Sequence, residues 1–279
     1  MVQDGIRKRK SRDRRSDDSA HAPSARSNSA VSMSRYAAAG DSPLEIPSLL
    51  TLQELFALEP SVVKCLIRRQ INAKEAFTIR DGSGAYFRAS LKELSGDKGV
   101  ALPYERMERS PEPTVKITLA CAVLGRQRML FVMQKATELG VSHIVPLLTE
   151  HSVPPKDLEH EKASSWPGQI LRAARQCRRG SLPQLDQPTS IDSFLASPTF
   201  ASADVRVVLD DRSDPAATPL ESPLHVVLFV GPEGGFSDAE RLNLEQKTLP
   251  WVLGGRVLRA ETAVIVGLTA VHMRWGDFI

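Results

Sequence analysis

The stretch VLFVGPEGGFSDAE, residues 227–240, decides the fold. Val227–Val230 is a run of strand formers with no alternating polar face. Such runs suit strands covered on both sides, the habit of parallel sheets in α/β domains. The run breaks at Gly231-Pro232-Glu233-Gly234-Gly235. Ser237, with Glu240 three residues on, then reads as a capping box that opens a helix. Glycine at a strand tip lets the backbone take positive φ and approach a ligand closely.

Working outward, the same rhythm recurs. VKITLACAVL (115–124), HIVPLLT (143–149), VRVVLDD (205–211) and HVVLFVG (225–231) read as buried strands, and WVLGG (251–255) as a short strand over 251–253. Between them, QRMLFVMQKATELG (127–140) has apolar residues at 129, 132, 133, 136 and 139, the helical spacing, with Gly140 as C-terminal cap. Further helices are expected at about 160–178, 238–247 and 260–275. Alternating β and α over 114–279 predicts an α/β domain with a parallel sheet. Residues 46–113 have a shorter, mixed pattern. AFTIRDGSGAYFRASL (76–91) reads as a hairpin around Asp81-Gly82-Ser83-Gly84, and PYERMERSPEPT (103–114) as a linker. A small β-rich domain is expected there. Residues 1–45, rich in Ser, Ala, Arg and Asp, read as a disordered basic tail.

Charge follows this division. The chain of 279 residues carries 36 Lys and Arg against 33 acids. Residues 1–40 hold nine bases and four acids, so the tail is +5 and the remainder −2. The basic balance belongs to the tail, and an RNA partner for the folded part must rest on a local patch. With 42% hydrophobic residues a sizeable core is within reach. No run approaches the ~18 apolar residues of a membrane span, and no signal-peptide core is seen. Cys65, Cys121 and Cys177 stand far apart with no CxxC pair, which argues against a zinc site or a disulfide scaffold and for a reducing, cytoplasmic setting.

Ligands of open parallel sheets sit beyond the carboxyl ends of the strands. Two loops fit that position: Gly231–Phe236, and Gly254–Thr262 with Arg256, Arg259 and Glu261. A tight β–α connection explains one such loop; a second, bearing unpaired charges, asks for a reason. The spacing is neither GxGxxG nor GxxxxGK[ST], no phosphate-gripping Lys is present, and Glu233 would repel phosphate. A neutral or cationic ligand held by backbone groups fits better. Cys177 reads as a packed side chain. His151 has no partner in view, so no metal is expected.

GPEGGFS-DAE and LGGRVLRAETA resemble the two signature loops of the 16S ribosomal RNA uracil-N3 methyltransferase family, ribosomal small subunit methyltransferase E, within the knotted SPOUT superfamily. QKATELGV (134–141), QC-RRGSLP (176–183) and RWGDF (274–278) match its other blocks in order. The resemblance covers about 46–279. It implies an N-terminal PUA-like RNA-binding β-barrel, a deep trefoil knot in a C-terminal methyltransferase domain, and a homodimer. It also implies S-adenosylmethionine as methyl donor and 16S rRNA of the small subunit as substrate, methylated at N3 of one uridine. By similarity the donor would touch Val230, Gly231 and Gly235 in the first loop, and Leu253, Val257, Leu258 and Ala260 in the second. Arg259 and Glu261 are the candidates for stabilising the uracil anion and taking its proton. Arg172, Arg175 and Arg179, read as one helical stripe, are candidate RNA contacts. The chain departs from the family at Arg172 and Arg175, where relatives carry acids, at LGRQR (124–128), and at His151 in place of an Arg. A related SPOUT enzyme with another RNA target, a non-catalytic RNA-binding protein and a nucleotide-binding enzyme are the competing readings. The intact loops favour catalysis.

Overall fold

The computed structural model describes residues 36–212 and 221–278. Most of the expected tail, residues 1–35, lies outside them. Tyr36–Glu45, which the same expectation included, are packed. Tyr36 is 3% exposed and its ring lies 6.2 Å from that of Trp166. Ala38 and Asp41 bridge antiparallel to Leu185 and Leu182, and Glu45 bridges parallel to Arg80. The expectation failed because the polar composition around these residues masks two anchors. Tyr36 contributes an aromatic ring to the core, and Asp41 binds Arg68, Arg69 and the Leu182 amide.

The N-terminal unit is an antiparallel sheet with one helix. Strands β1 (Phe56–Leu58), β2 (Ala76–Arg80), β3 (Tyr86–Ser95) and β4 (Lys98–Arg106) take the order β1-β4-β3-β2. Helix α1 (Pro60–Arg68), started by proline, buries Val62, Val63 and Leu66. The β2–β3 hairpin stands where the sequence puts it. Asp81 closes its turn, Oδ1 accepting from the Ser83 amide at 2.9 Å and Oδ2 from the Leu50 amide at 3.1 Å. The expected linker begins only after Arg106, since 103–106 complete β4.

The C-terminal unit carries the parallel sheet. Its strands are β5 (Lys116–Ala122), β6 (His143–Leu148), β7 (Gln184–Leu185), β8 (Thr189–Ser190), β9 (Val205–Leu209), β10 (His225–Val230) and β11 (Leu249–Trp251). The order is β11-β9-β10-β5-β6-β7, with β8 also on β6, and every pairing is parallel. β10 is buried at all six positions, as its unbroken apolar run requires. Helices α2 (Arg126–Glu138), α3 (Trp166–Gln176), α4 (Ile191–Leu195), α5 (Pro198–Ala201), α6 (Asp238–Glu245) and α7 (Ala260–Trp275) cover the faces. One face packs Met129, Met133, Val264 and Leu268 on Ile117, Leu119 and Leu228. The other packs Phe194, Phe200 and Leu244 around Phe229. Burying each such side chain contributes about 1.5–3 kcal/mol.

Two elements differ from expectation. The helix of 160–178 shrinks to α3, since Pro167 suits a first turn and Lys162 sits at φ 53, outside helical space. β11 ends at Trp251 instead of spanning 251–253, which leaves Leu253 in the loop.

Candidate active site

The carboxyl ends of β9, β10 and β11 surround a cavity of about 360 Å³. Leu209, Val230 and Trp251, the last residues of those strands, form its inner wall, and the two glycine-rich loops form the rest. Val230, Gly231, Gly235, Leu253, Val257, Leu258 and Ala260 all line it. Arg259 and Glu261 do not; they flank Ala260 at the start of α7. Arg259 is exposed and occupies the N-cap position. Glu261 is half-buried, and its Oε2 has no hydrogen-bond partner among the described residues.

The first loop is held from several sides. Ser237 and Glu240 form the expected capping box, and Glu240 accepts from the Ser237 amide at 2.9 Å. The other oxygen of Glu240 accepts from the Glu150 amide at 2.9 Å, tying the loop after β6 to this one. His151, without a visible partner in sequence, places Nδ1 3.0 Å from the Gly235 carbonyl oxygen. Gly235 has φ +73, left-handed space that only glycine enters at no cost. Glu233, at the cavity rim, pairs with Arg128 of α2.

Sequence reasoning named Glu233 and Arg256 but missed the rest of the charged wall, Asp210, Asp211, Arg212 and Arg241. Asp210 and Arg241 form an ion pair at 3.0 Å, both mostly shielded from water, and both line the cavity with Asp211, Arg212, Glu233 and Arg256. Three acids face three bases, so the cavity is polar yet balanced. The available signal was the strand end VVLDD, where two acids follow an apolar run directly. Cys121, paired with Val230 at the ends of β5 and β10, is no nucleophile: burial, and then Glu233, push its thiol up to about 12. Burial likewise raises Cys177. Among the described residues no cluster of His, Cys, Asp or Glu could hold a metal ion.

The arginine stripe divides. Arg172 is exposed, and donates to Gln169 at 2.6 Å. Arg175 crosses to the N-terminal unit, pairing with Glu75 and donating to the Gln70 carbonyl. Arg179 is a correction: it lies beyond the end of α3 and is 7% exposed. Its Nη2 meets Glu112 at 2.7 Å, and its Nη1 donates to the Thr137 and Val141 carbonyls at 3.2 and 2.6 Å. Glu112 also accepts from the Gly180 and Ser181 amides. The helix ends at Gln176, three residues before Arg179, so that charge points inward as an anchor.

Comparison with known proteins bears on this cavity. Residues 110–272 match the family described as RNA methyltransferase domain. A protein of Mesomycoplasma hyopneumoniae named ribosomal RNA small subunit methyltransferase E is 32% identical over 173 residues, 59% of this chain and 73% of its own length. A methyltransferase of Legionella pneumophila, solved with the cofactor SAM bound, is 32% identical with a TM-score of 0.59, covering 84% of this chain and 98% of its own. The ribosomal RNA small subunit methyltransferase E of Neisseria gonorrhoeae, solved with S-adenosyl methionine, is 26% identical with a TM-score of 0.59, covering 85% and 99%.

Proposed function

From the premise that the chain belongs to the RNA methyltransferase family, among the ribosomal RNA small subunit methyltransferases E, we propose that it methylates N3 of one uridine of 16S rRNA, conventionally position 1498, using S-adenosylmethionine. One observation carries the donor site. All seven residues singled out from the two loop motifs, 230 to 260, line a single cavity at the carboxyl ends of β9, β10 and β11.

The cavity suits the donor. Its volume is in the range of sites that bury a small ligand. Leu209, Val230, Trp251, Leu253 and Leu258 offer apolar walls to an adenine. Asp210 and Glu233 complement positive charge, and the arginines complement the carboxylate of an amino-acid moiety. Glycine at 231 and 235 lets the loop backbone approach the donor without steric bulk, and main-chain groups of Gly231 are available to hydrogen-bond it. The donor, when bound, supplies an electrophilic methyl carried on a sulfonium.

The chain's own residues position and deprotonate. An in-line displacement needs the uracil nitrogen on the methyl axis, so orientation supplies much of the rate. Glu261, beside the cavity and with a carboxylate oxygen unpartnered among the described residues, is suited to receive the N3 proton. Arg259, exposed and next in sequence to the cavity-lining Leu258 and Ala260, is suited to stabilise the negative charge left on the base. The target base must leave its stack to reach them.

We read the turns 231–237 and 252–259 as passes of the trefoil knot, and the N-terminal sheet, which the 44–46 segment extends beside β2, as a PUA-like barrel. The homodimer finds support in the outer face of α7 and α2, where Met273, Phe131 and Val266 stay exposed. The site of action is the cytoplasm, where ribosomes are assembled. No described helix is long and apolar enough to cross a membrane.

Calorimetry with S-adenosylmethionine tests the donor site, and absence of binding up to millimolar donor overturns the reading. Mass spectrometry of small-subunit rRNA from a deletion strain tests the target. Loss of 3-methyluridine is expected, and unchanged modification excludes this chain as the sole enzyme.

A further inference from the structure

Four guanidinium groups meet where the N-terminal sheet touches α3. Arg69, Arg88, Arg175 and Arg179 line one enclosed space of about 20 Å³. Three have carboxylates: Arg69 meets Asp41 at 2.7 Å, Arg179 meets Glu112 at 2.7 Å, and Arg175 pairs with Glu75. Arg88 has no carboxylate among the described residues. It is 6% exposed. Its Nη1 donates to Thr78 Oγ1 at 2.8 Å, and its buried Nε has no acceptor among the described residues. Thr78 in turn donates to the Arg178 carbonyl at 2.8 Å, which fixes where Arg88 points. A guanidinium cannot shed its proton, and taking it out of water without a counter-charge is strongly unfavourable.

Arg88 is not sealed in. It also lines an open groove of about 570 Å³, with Glu75, Ala76, Arg172, Arg175 and Gln176. Across that groove Arg172 is exposed, and it donates to the neutral side-chain amide oxygen of Gln169. The groove thus holds three guanidiniums against one carboxylate, already engaged by Arg175.

We infer that this groove binds one phosphodiester of the RNA substrate, with Arg88 and Arg172 as its principal ligands and Arg175 shared between phosphate and Glu75. The inference rests on the RNA-methyltransferase reading above. A phosphodiester supplies the missing negative charge, and guanidinium donors match its paired oxygens. One wall comes from β2 and β3 and the other from α3, so a bound phosphate ties both units to the same RNA strand.

The test uses the whole protein and small ribosomal subunits from a strain lacking it. Affinity is measured over a salt series for wild type, Arg88→Gln, Arg172→Gln and Arg172→Lys. Each Gln variant is expected to bind about tenfold more weakly and to flatten the dependence of log K on log salt by about one. Arg172→Lys keeps the slope, and S-adenosylmethionine binding stays within about twofold of wild type. Should Arg88→Gln not fold, Arg172→Gln decides alone, since that residue is exposed. Unchanged subunit affinity in Arg172→Gln, with donor binding intact, overturns the inference; failure of wild type to bind donor overturns the parent reading instead. Calorimetry with inorganic phosphate separates a free-anion pocket. Tight phosphate binding lost in Arg172→Gln, without loss of subunit affinity, also refutes the RNA assignment.

Discussion

Replacing Arg179 by alanine separates an anchoring arginine from an RNA-contacting one. The side chains of Arg179 and Glu112 are 3% and 15% exposed, and their pair is reinforced by four further hydrogen bonds from the Gly180 and Ser181 amides and to the Thr137 and Val141 carbonyls. Removing one partner of a buried pair leaves the other charge without its counter-ion, and here also strips the Val141 carbonyl of its arginine donor, a loss of about 3–5 kcal/mol. For a chain of this size each kcal/mol lowers Tm by about 2–4 °C, so the drop should be roughly 6–20 °C. Thermal unfolding followed by circular dichroism measures it. A double variant, Arg179→Met with Glu112→Leu, should recover a large part, because neither charge is then stranded. If Arg179→Ala melts within about 2 °C of wild type yet binds ribosomal subunits poorly, the anchoring role is wrong and the side chain belongs to the RNA surface.

Three other outcomes are expected. Gly235→Ala places a side chain at φ +73, which costs about 1–2 kcal/mol; calorimetry should show donor affinity about 5–30-fold weaker, and wild-type affinity would show the loop relaxes freely. Glu261→Gln should lower kcat by about 100-fold or more with donor affinity nearly unchanged, and a normal kcat would remove Glu261 as proton acceptor. Burial, then the charge of Lys116, holds His225 below its ordinary 6.5 while Thr118 and Ser202 bond its ring. Below pH 6.5 the unfolded imidazole binds a proton that the folded one refuses. Stability is therefore lost as pH falls from 6.5 to the depressed folded value, by up to about 1.4 kcal/mol per unit. Urea unfolding of wild type against His225→Gln should show a shallower acid slope in the variant, and equal slopes would refute this.

The parallel sheet was legible because β10 and β5 are unbroken apolar runs, and the loop motif was legible because glycine and proline punctuate a strand tip. Helix α7 was read to the residue, since Arg259 and Gly276 bracket a continuous apolar pattern. What escaped depends on long-range partners. Asp210 meets Arg241 across the cavity, and Asp41 meets the Leu182 amide; neither pairing leaves a local trace. Arg179 misled because helical spacing continues on paper past Gln176, where the backbone turns away and Arg178 takes φ 65. His151 had no neighbour in its own segment, its partner lying in the loop after β10.

The segment from Tyr36 to Glu45 has a consequence for the order in which the chain can mature. It is synthesised before either unit, yet Asp41 finds the Leu182 amide only 141 residues later. On an emerging chain the N-terminal sheet can therefore form early, while the strap across it stays undone until β7 has been made. Closing so distant a contact is slow relative to local structure. The fastening of residues 36–45 thus waits on the second unit, and locks the two halves in register only once β7 exists.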